Sequence, residues 1–332
     1  ELFLVAYNPF IDAETVRQSV RESFEKESVS LAHYYATAIG EGITMFWSAY
    51  EAEADFRDKL IEALQRMLPA ECVLTDPAAL VESATDATDL RMELPLLVVE
   101  PDSTEQVAHL VRLANEMKFA LIPRGGGSGM TGGAVPARKR TVIVSLTRLT
   151  RIGPVDLETM TVTCEAGAIT QAVATAVDQA GALFSVDPAS KQASSIGGNV
   201  SENAGGPMAF EYGTTLDNLL WWRMVTPTGE IITVERENHP RHKILPDETA
   251  VFVVKDVSGG VRNVVHLRGD EIRLPGLGKD VTNKVLGGLP GMQKEGVDGI
   301  ITEACFIVHP KPRYKRVMVL EFFGRSMHPA AV

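Results

Sequence analysis

Two segments of the sequence concentrate the residue types that can do chemistry. The first, Arg124-Gly-Gly-Gly-Ser-Gly-Met-Thr-Gly-Gly133, has six glycines in ten residues. Glycine takes positive φ without steric cost, so successive backbone N–H groups can converge on one point. Such a nest binds phosphate oxygens without a lysine. Gly127, Gly129 and Gly132 also satisfy G-x-G-x-x-G, but that dinucleotide fingerprint requires a helix to start at the loop. Pro136 and the short distance to the next apolar run leave no room for one, which disfavours a Rossmann site.

The second segment, Ser194-Ser-Ile-Gly-Gly-Asn-Val-Ser-Glu-Asn-Ala-Gly-Gly206, combines paired glycines with small polar side chains. Those groups suit a ribityl chain, a pyrophosphate or the polar edge of a flavin. Two such loops about seventy residues apart, each following a strand, point to one elongated, phosphate-bearing cofactor gripped from both sides.

The flanking pattern alternates strand and helix. Leu96–Val99, Phe119–Ile122, Thr141–Leu146 and Thr159–Glu165 read as strands. Ser103 to Gln106 is a capping box for a helix presenting Val107, Leu110, Val111, Ala114 and Met117 on one face. Gln171–Gln179 is a second helix, with Thr170 as its cap. Asn218–Val225 and Glu230–Val234 form a hairpin around Pro227-Thr-Gly229. Val251–Lys255 and Asn263–Leu267 form another, inserted within about 235–275, with its turn at Gly259-Gly260. The lack of a regular βαβ rhythm favours α+β. Residues 1–71 form a helical N-terminal extension, with Asp12–Glu27 and Asp55–Leu68 at helical spacing and a loop at Gly40-Glu41-Gly42. No chemistry is assigned to it. His239 and His242 read as a solvated loop rather than metal ligands. His309, Lys311, Arg313 and Lys315 read as a basic linker.

A length of 332 residues suggests about two domains. The net charge of −11 argues against a general nucleic-acid binder, which needs a basic patch. Cys72, Cys164 and Cys305 form no CxxC pair, so no metal or iron–sulfur site is encoded here. Scattered thiols fit a reducing compartment, and no apolar run is long enough to span a bilayer. The expected location is the cytoplasm, free or at the periphery of the inner membrane. The first residue is Glu1, and the sequence stops soon after a new apolar run at about Tyr314–Phe323, so a longer parent protein is expected.

The order Pro123-Arg-Gly-Gly-Gly-Ser-Gly-Met-Thr-Gly-Gly133, Asp187-Pro-Ala-Ser190, the second glycine segment, Tyr212-Gly213 and Gly299-Ile-Ile-Thr-Glu303 resembles the FAD-binding domain of the vanillyl-alcohol-oxidase (PCMH-type) superfamily. Within it the sequence is most similar to the D-lactate dehydrogenases, the glycolate oxidase flavin subunits and the D-2-hydroxyglutarate dehydrogenases. The resemblance implies an α+β, two-subdomain PCMH-type fold over residues 72–310, with residues 311–332 beginning a substrate or cap domain. It implies cofactor contacts from Pro123, Arg124, Gly125, Gly126, Gly127, Ser128 and Gly129, with Thr131 and Gly132 beside them. Pro188, Ser194, Gly197, Gly198 and Asn199 would follow the ribityl and diphosphate region. Asn203, Gly205 and Gly206 would lie near the isoalloxazine, and Ile301 on the adenine side. Ser128 stands where some relatives carry a flavin-linking His, so the implied FAD is non-covalent. Gly278 to Lys284 and Gly291 to Gly299 depart from the Lys-Asn-x-x-Gly-Tyr-Asp and Gly-Ser-Glu-Gly-Thr-Leu-Gly stretches of the lactate dehydrogenase group, which points to a divergent branch such as the iron–sulfur fusion flavoproteins.

The implied activity is oxidation of a 2-hydroxy acid such as D-lactate or glycolate. Hydride would pass to flavin N5 and electrons on to an iron–sulfur, quinone or cytochrome acceptor. In such enzymes much of the catalytic set lies in the following domain, so no catalytic residue and no metal ligand is assigned. Two other readings stand beside it: an NAD(P)H-dependent reductase of the same fold, similar to the enolpyruvyl reductases, and a non-catalytic flavin-holding domain.

Overall fold

A computed structural model describes residues 53–87, 93–273, 288–314 and 316. The chain divides into two compact units, Glu1–Ala63 and Leu64–Val332. Of the first, the described part is the start of helix α1 (Ala54–Gln65). The expected helix at Asp12–Glu27, the loop at Gly40 and the departure at Gly278–Lys284 lie outside the described residues.

Within the second unit, β1 (Val73–Leu74), β2 (Leu97–Val99), β3 (Ala120–Arg124) and β4 (Thr141–Ser145) make a four-stranded sheet in the order β1-β2-β4-β3. β2 and β3 both run parallel to β4, while β1 is antiparallel to β2. β4 is buried along its whole length, as its unbroken β-branched run requires of a central parallel strand. Helix α2 (Pro77–Ser83) precedes β2, and α3 (Thr104–Met117) links β2 to β3. The α3 hydrophobic stripe is buried at Val107, Leu110, Val111 and Ala114. Ser103 caps it as expected, and Lys118 ends it in the left-handed region at φ 61°.

The larger sheet is antiparallel. It contains β5 (Thr161–Glu165), β7 (Leu219–Val225), β8 (Ile231–Arg236), β9 (Thr249–Asp256), β10 (Val261–Arg268) and β11 (Ile300–Ile307), in the order β10-β9-β8-β7-β11-β5. Both expected hairpins are present, and the second extends the sheet edge beyond β8. Trp222, Met224, Val234, Phe252 and Phe306 fill the core face. On the other face, Glu165, Glu303, Arg223, Thr233 and Lys255 stand in cross-strand register. Arg223 pairs with Glu303 at 2.8 Å, and Arg151 reaches both Glu165 (3.2 Å) and Glu303 (3.6 Å). These arginines offset the repulsion of two directly opposed carboxylates.

Helix α4 (Thr170–Gln179) leads to β6 (Ala182–Leu183), which pairs with β12 (His309–Pro310). Between β6 and β7 run three short helices: α5 (Ile196–Glu202), α6 (Ala209–Tyr212) and α7 (Thr215–Asn218). A last one, α8 (Gly269–Ile272), follows β10. Thr170 is the first residue of α4 rather than its cap. Ile169 holds that position without a side-chain bond, because the Thr170 hydroxyl is engaged with the second glycine segment instead.

Candidate functional site

The first glycine segment leaves the carboxyl end of β3, beside the carboxyl end of β4 where Arg124 pairs with Ser145. Ligands gather outside the carboxyl ends of parallel strands. No helix follows the loop before β4, in line with the disfavoured Rossmann reading. The loop lies directly on the second glycine segment. A Cβ on Gly126 would stand 1.7 Å from the Ala193 carbonyl oxygen, and one on Gly125 2.1 Å from Ser195 Oγ. Gly127 has φ +62°, the left-handed geometry that a converging nest requires.

Helix α5 carries the second segment. Ser195 caps it, accepting from the Gly198 N–H at 3.4 Å. Gly197 lets the helix sit on the end of β5, since a Cβ there would be 2.8 Å from Ala166 Cβ. A buried cluster fixes the approach. Asn199 Nδ2 donates to Thr170 Oγ1 (2.8 Å), which in turn contacts the Ser194 hydroxyl (2.9 Å) and carbonyl (3.0 Å).

Between the two segments is a partly open cleft of about 210 Å³. That is below the roughly 300–1,000 Å³ of a site that engulfs a drug-sized ligand, so a larger molecule would be enclosed only in part. Of the residues singled out in the sequence, it brings together Pro123, Gly125, Gly126, Gly127, Ser128, Gly129, Thr131, Pro188, Ser194, Gly197, Gly198, Asn199 and Ile301. Arg124, Gly132, Asn203, Gly205 and Gly206 are not among its lining. The Arg124 guanidinium turns behind the loop, donating to the Ala134 carbonyl (3.2 Å) and the Glu82 carbonyl (3.4 Å). Burial pulls its pKa down, opposed by the Asp86 and Glu82 carboxylates. Beyond Gly206, the Met208 N–H donates to Asp187 Oδ1 (3.1 Å), which draws that end of the segment onto the Asp187-Pro-Ala-Ser motif.

Sequence reasoning missed Asp86, Ser190, Ser195, Ser201, Glu202, Glu295 and Gly296, all of which line the cleft. Glu202 was legible inside the second motif; its Oε1 accepts from Thr131 Oγ1 across the cleft at 3.1 Å. Glu295 and Gly296 lie in the stretch set apart as divergent. Yet Glu295-Gly-Val-Asp-Gly299 keeps the Glu-Gly-x-x-Gly spacing of the stretch it was compared with. Among the described residues, no Lys or Arg lines the cleft. An anion here meets backbone N–H groups and hydroxyls, while the carboxylates of Asp86, Glu202 and Glu295 suit ligand hydroxyl groups.

Two histidines are more engaged than the sequence suggests. His239 is half-buried in an otherwise exposed loop: its Nδ1 accepts from the Arg241 N–H (2.9 Å), so its Nε2 carries the proton and donates to the Asp217 carbonyl (2.8 Å). Burial, with Arg236 beside it, pushes its pKa down to about 3. His309 is buried rather than part of a linker patch. Its Nε2 donates to Asn218 Oδ1 at 2.8 Å, its ring lies 4.5 Å from that of Tyr212, and burial lowers its pKa to about 4. Lys311 pairs with Asp178 at 2.6 Å. Among the described residues, no group of three or more His, Cys, Asp or Glu side chains is placed to hold a metal ion.

Residues 95–235 match the family described as "FAD binding domain". The chain is 28% identical over 234 residues to the glycolate oxidase subunit GlcD of Bacillus subtilis (strain 168), covering 70% of this chain and 41% of that protein. It is 37% identical over 177 residues to the D-2-hydroxyglutarate dehydrogenase of Xanthomonas citri pv. viticola, covering 53% and 37%. To the D-lactate dehydrogenase of Anaerostipes hadrus it is 35% identical over 179 residues, covering 52% and 36%. The chain thus spans about two fifths of the length of these relatives. Among solved structures it superposes on an alkyldihydroxyacetonephosphate synthase with a TM-score of 0.56 at 24% identity, covering 77% of this chain and 42% of that one.

Proposed function

Since the chain carries an FAD-binding domain of the vanillyl-alcohol-oxidase (PCMH) type, we propose that it is the flavin-holding part of an oxidoreductase acting on a 2-hydroxy acid. The observation that carries this reading is the cleft itself, where a glycine nest at the carboxyl ends of parallel strands faces a serine-lined helix start, with no cationic side chain between them among the described residues. The residues fit FAD. Gly127 is already in the left-handed geometry of a nest.

In this reading the loop 123–129, flanked by Thr131 and Gly132, holds the pyrophosphate through the backbone N–H groups that follow Pro123. Pro188, Ser194, Gly197, Gly198 and Asn199 follow the ribityl stretch, and Ile301 the adenine side. Asn203, Gly205 and Gly206 lie toward the isoalloxazine, and the Arg124 side chain braces the first loop from behind. When bound, the flavin supplies the acceptor for a hydride from the substrate carbon. The protein's part is to fix the cofactor and exclude water from its inner side. Ser128 stands in the first loop at the place of the flavin-linking His, which supports non-covalent FAD. The D-lactate, glycolate and D-2-hydroxyglutarate enzymes among the relatives support a small 2-hydroxy acid as substrate.

We take residues 72–310 as the FAD domain, 1–71 as an N-terminal extension and 311–332 as the start of a following domain. Electrons would pass to an iron–sulfur, quinone or cytochrome partner. Among the described residues, no helix is long and apolar enough to cross a membrane, and the cytoplasm is the compartment we propose.

The test is the visible spectrum of the purified chain before and after acid precipitation, with chromatography of what is released. Released FAD is the expected result. Colour left in the pellet would overturn the non-covalent assignment, and a colourless protein that ignores added FAD would overturn the reading.

A further inference from the structure

The first glycine segment is anchored unevenly. Its inner end, Gly125 and Gly126, is pressed against Ala193 and Ser195. Among the described residues, no backbone hydrogen bond joins residues 125–135 to the chain outside that stretch. Its N–H groups are thereby left for a ligand. A glycine-rich stretch without such bonds also has many open conformations to choose from.

Two side-chain contacts restrain its outer part. Arg124 Nη1 donates to the Ala134 carbonyl (3.2 Å), which ties the loop to its own stem. Thr131 Oγ1 donates to Glu202 Oε1 (3.1 Å), which ties it to the opposite segment. Thr131 and Glu202 both line the cleft. The same carboxylate oxygen would stand 3.5 Å from a Cβ on Gly129, so it lies against the outer half of the loop.

The Glu202 end of this bond is fixed. Glu202 closes helix α5, and Asn203 after it is left-handed at φ 51°. The Ala204 N–H donates to the Asn199 carbonyl (2.8 Å), and Asn203 Oδ1 accepts from the Leu216 N–H (2.9 Å). A carboxylate at the carboxyl end of a helix faces the negative end of its dipole, so helix stability does not account for Glu202.

We propose that Thr131 and Glu202 form a clasp, their hydrogen bond holding the outer half of the first segment against helix α5 and so presetting its N–H groups for the cofactor's diphosphate. Both act as positioning residues, and the proposal rests on the FAD reading above. Without the clasp the loop spends less time closed, and the apparent Kd rises as the closed fraction falls.

A double-mutant cycle tests it. Thr131→Val removes the hydroxyl and keeps the shape, and Glu202→Ala removes the acceptor. FAD affinity is read by titration of flavin fluorescence, and the fold by thermal melting of the flavin-free chain. Each single variant should raise the Kd about fivefold, roughly 1 kcal/mol. The double variant should bind no more weakly than either single one, because one shared bond is lost once. Glu202→Gln keeps an acceptor oxygen for Thr131 and should stay within twofold of wild type. All four should melt within about 2 °C of wild type.

Single effects that multiply in the double variant would overturn the clasp, as would a glutamine variant as weak as the alanine one. Affinity that falls in step with melting temperature would do the same. Should Glu202→Ala not fold, Thr131→Val against Thr131→Ser, which keeps the hydroxyl, decides: equal affinities overturn the proposal and tighter binding by the serine variant supports it. A wild-type chain that binds no FAD would sink both readings, whereas a flavin-binding wild type with indifferent single variants sinks this one alone.

Discussion

The two glycine-rich segments have similar compositions and serve different physical needs. In the first, Gly125 and Gly126 are required by close backbone approach to the second segment, and Gly127 by its positive φ. In the second, Gly197 and Gly198 are ordinary helical residues of α5. Gly197 allows the helix onto Ala166, while Gly198 has only the Ser195 hydroxyl nearby, at 3.4 Å. A glycine count therefore measures neither ligand contact nor strain. What matters is which atom stands where a Cβ would go, and whether that atom can move.

The largest expected effect is at Gly126. Alanine would put its Cβ 1.7 Å from the Ala193 carbonyl oxygen, a backbone atom held by the fold, so the two loops must separate. Overpacking of this kind costs typically 1–3 kcal/mol, and here the upper end is expected. Gly126→Ala should melt several degrees lower without flavin and fail to retain FAD. A variant that melts and binds like wild type would show that the loops do not depend on each other.

Gly127→Val should come next. Its left-handed φ disfavours a β-branched residue, and its Cβ would meet the Arg124 guanidinium at 2.4 Å. That neighbour is the end of a side chain and can shift, so stability should fall less than for Gly126→Ala. FAD retention should still be abolished, because a β-branched residue cannot easily hold the positive φ that turns the loop's N–H groups toward one point. Purification with full flavin occupancy would remove the first segment from the cofactor site.

These two cases also show what the sequence makes legible. Strands β3, β4 and β5 and helix α3 were readable because apolar periodicity and the Ser103 cap are local signals. Gly127 was readable because consecutive glycines between strands announce positive φ. The direction of the Arg124 side chain was not legible: its neighbours in the chain face the cleft while it reaches back to Glu82 and Ala134. That choice depends on contacts between segments distant in sequence. The same holds for Asp86 and Glu295, which reach the cleft only through the fold. His239 and His309 read as solvated because charged residues surround them in the chain. In space each has an acceptor in the Asp217–Asn218 turn that closes α7.

Acid separates the two segments by a different route. The first is braced by Arg124, which stays protonated across the accessible range. Beyond its helix, the second runs into a turn held by Asn218, which donates to the Tyr212 and Thr214 carbonyls and accepts from Ser185 and His309. His309 and His239 have folded-state pKa values lowered to about 4 and about 3, against about 6.5 unfolded. The unfolded chain therefore binds more protons below about 6.5, and stability falls as pH drops from there toward 4. Melting at pH 7 and pH 5 should differ by one to a few kcal/mol. His309→Gln can still donate to Asn218 and should lessen that difference while changing little at pH 7. An unaltered pH dependence in the variant would mean that His309 does not carry it.

The smallest effect should be at Gly198, the closest match in composition to Gly126 and its opposite in surroundings. It sits inside helix α5 at negative φ, where replacing glycine with alanine is worth roughly 0.5–1 kcal/mol of helix stability. Its Cβ would meet the Ser195 hydroxyl at an ordinary 3.4 Å. Gly198→Ala should therefore melt at or slightly above the wild-type temperature without flavin. Because Gly198 lines the cleft, the added methyl should weaken FAD binding while stabilising the empty chain. That opposite sign in two measurements is what a glycine kept for ligand space predicts. Should melting and affinity fall together, the second segment would be as tightly constrained by packing as the first, and the distinction between them would fail.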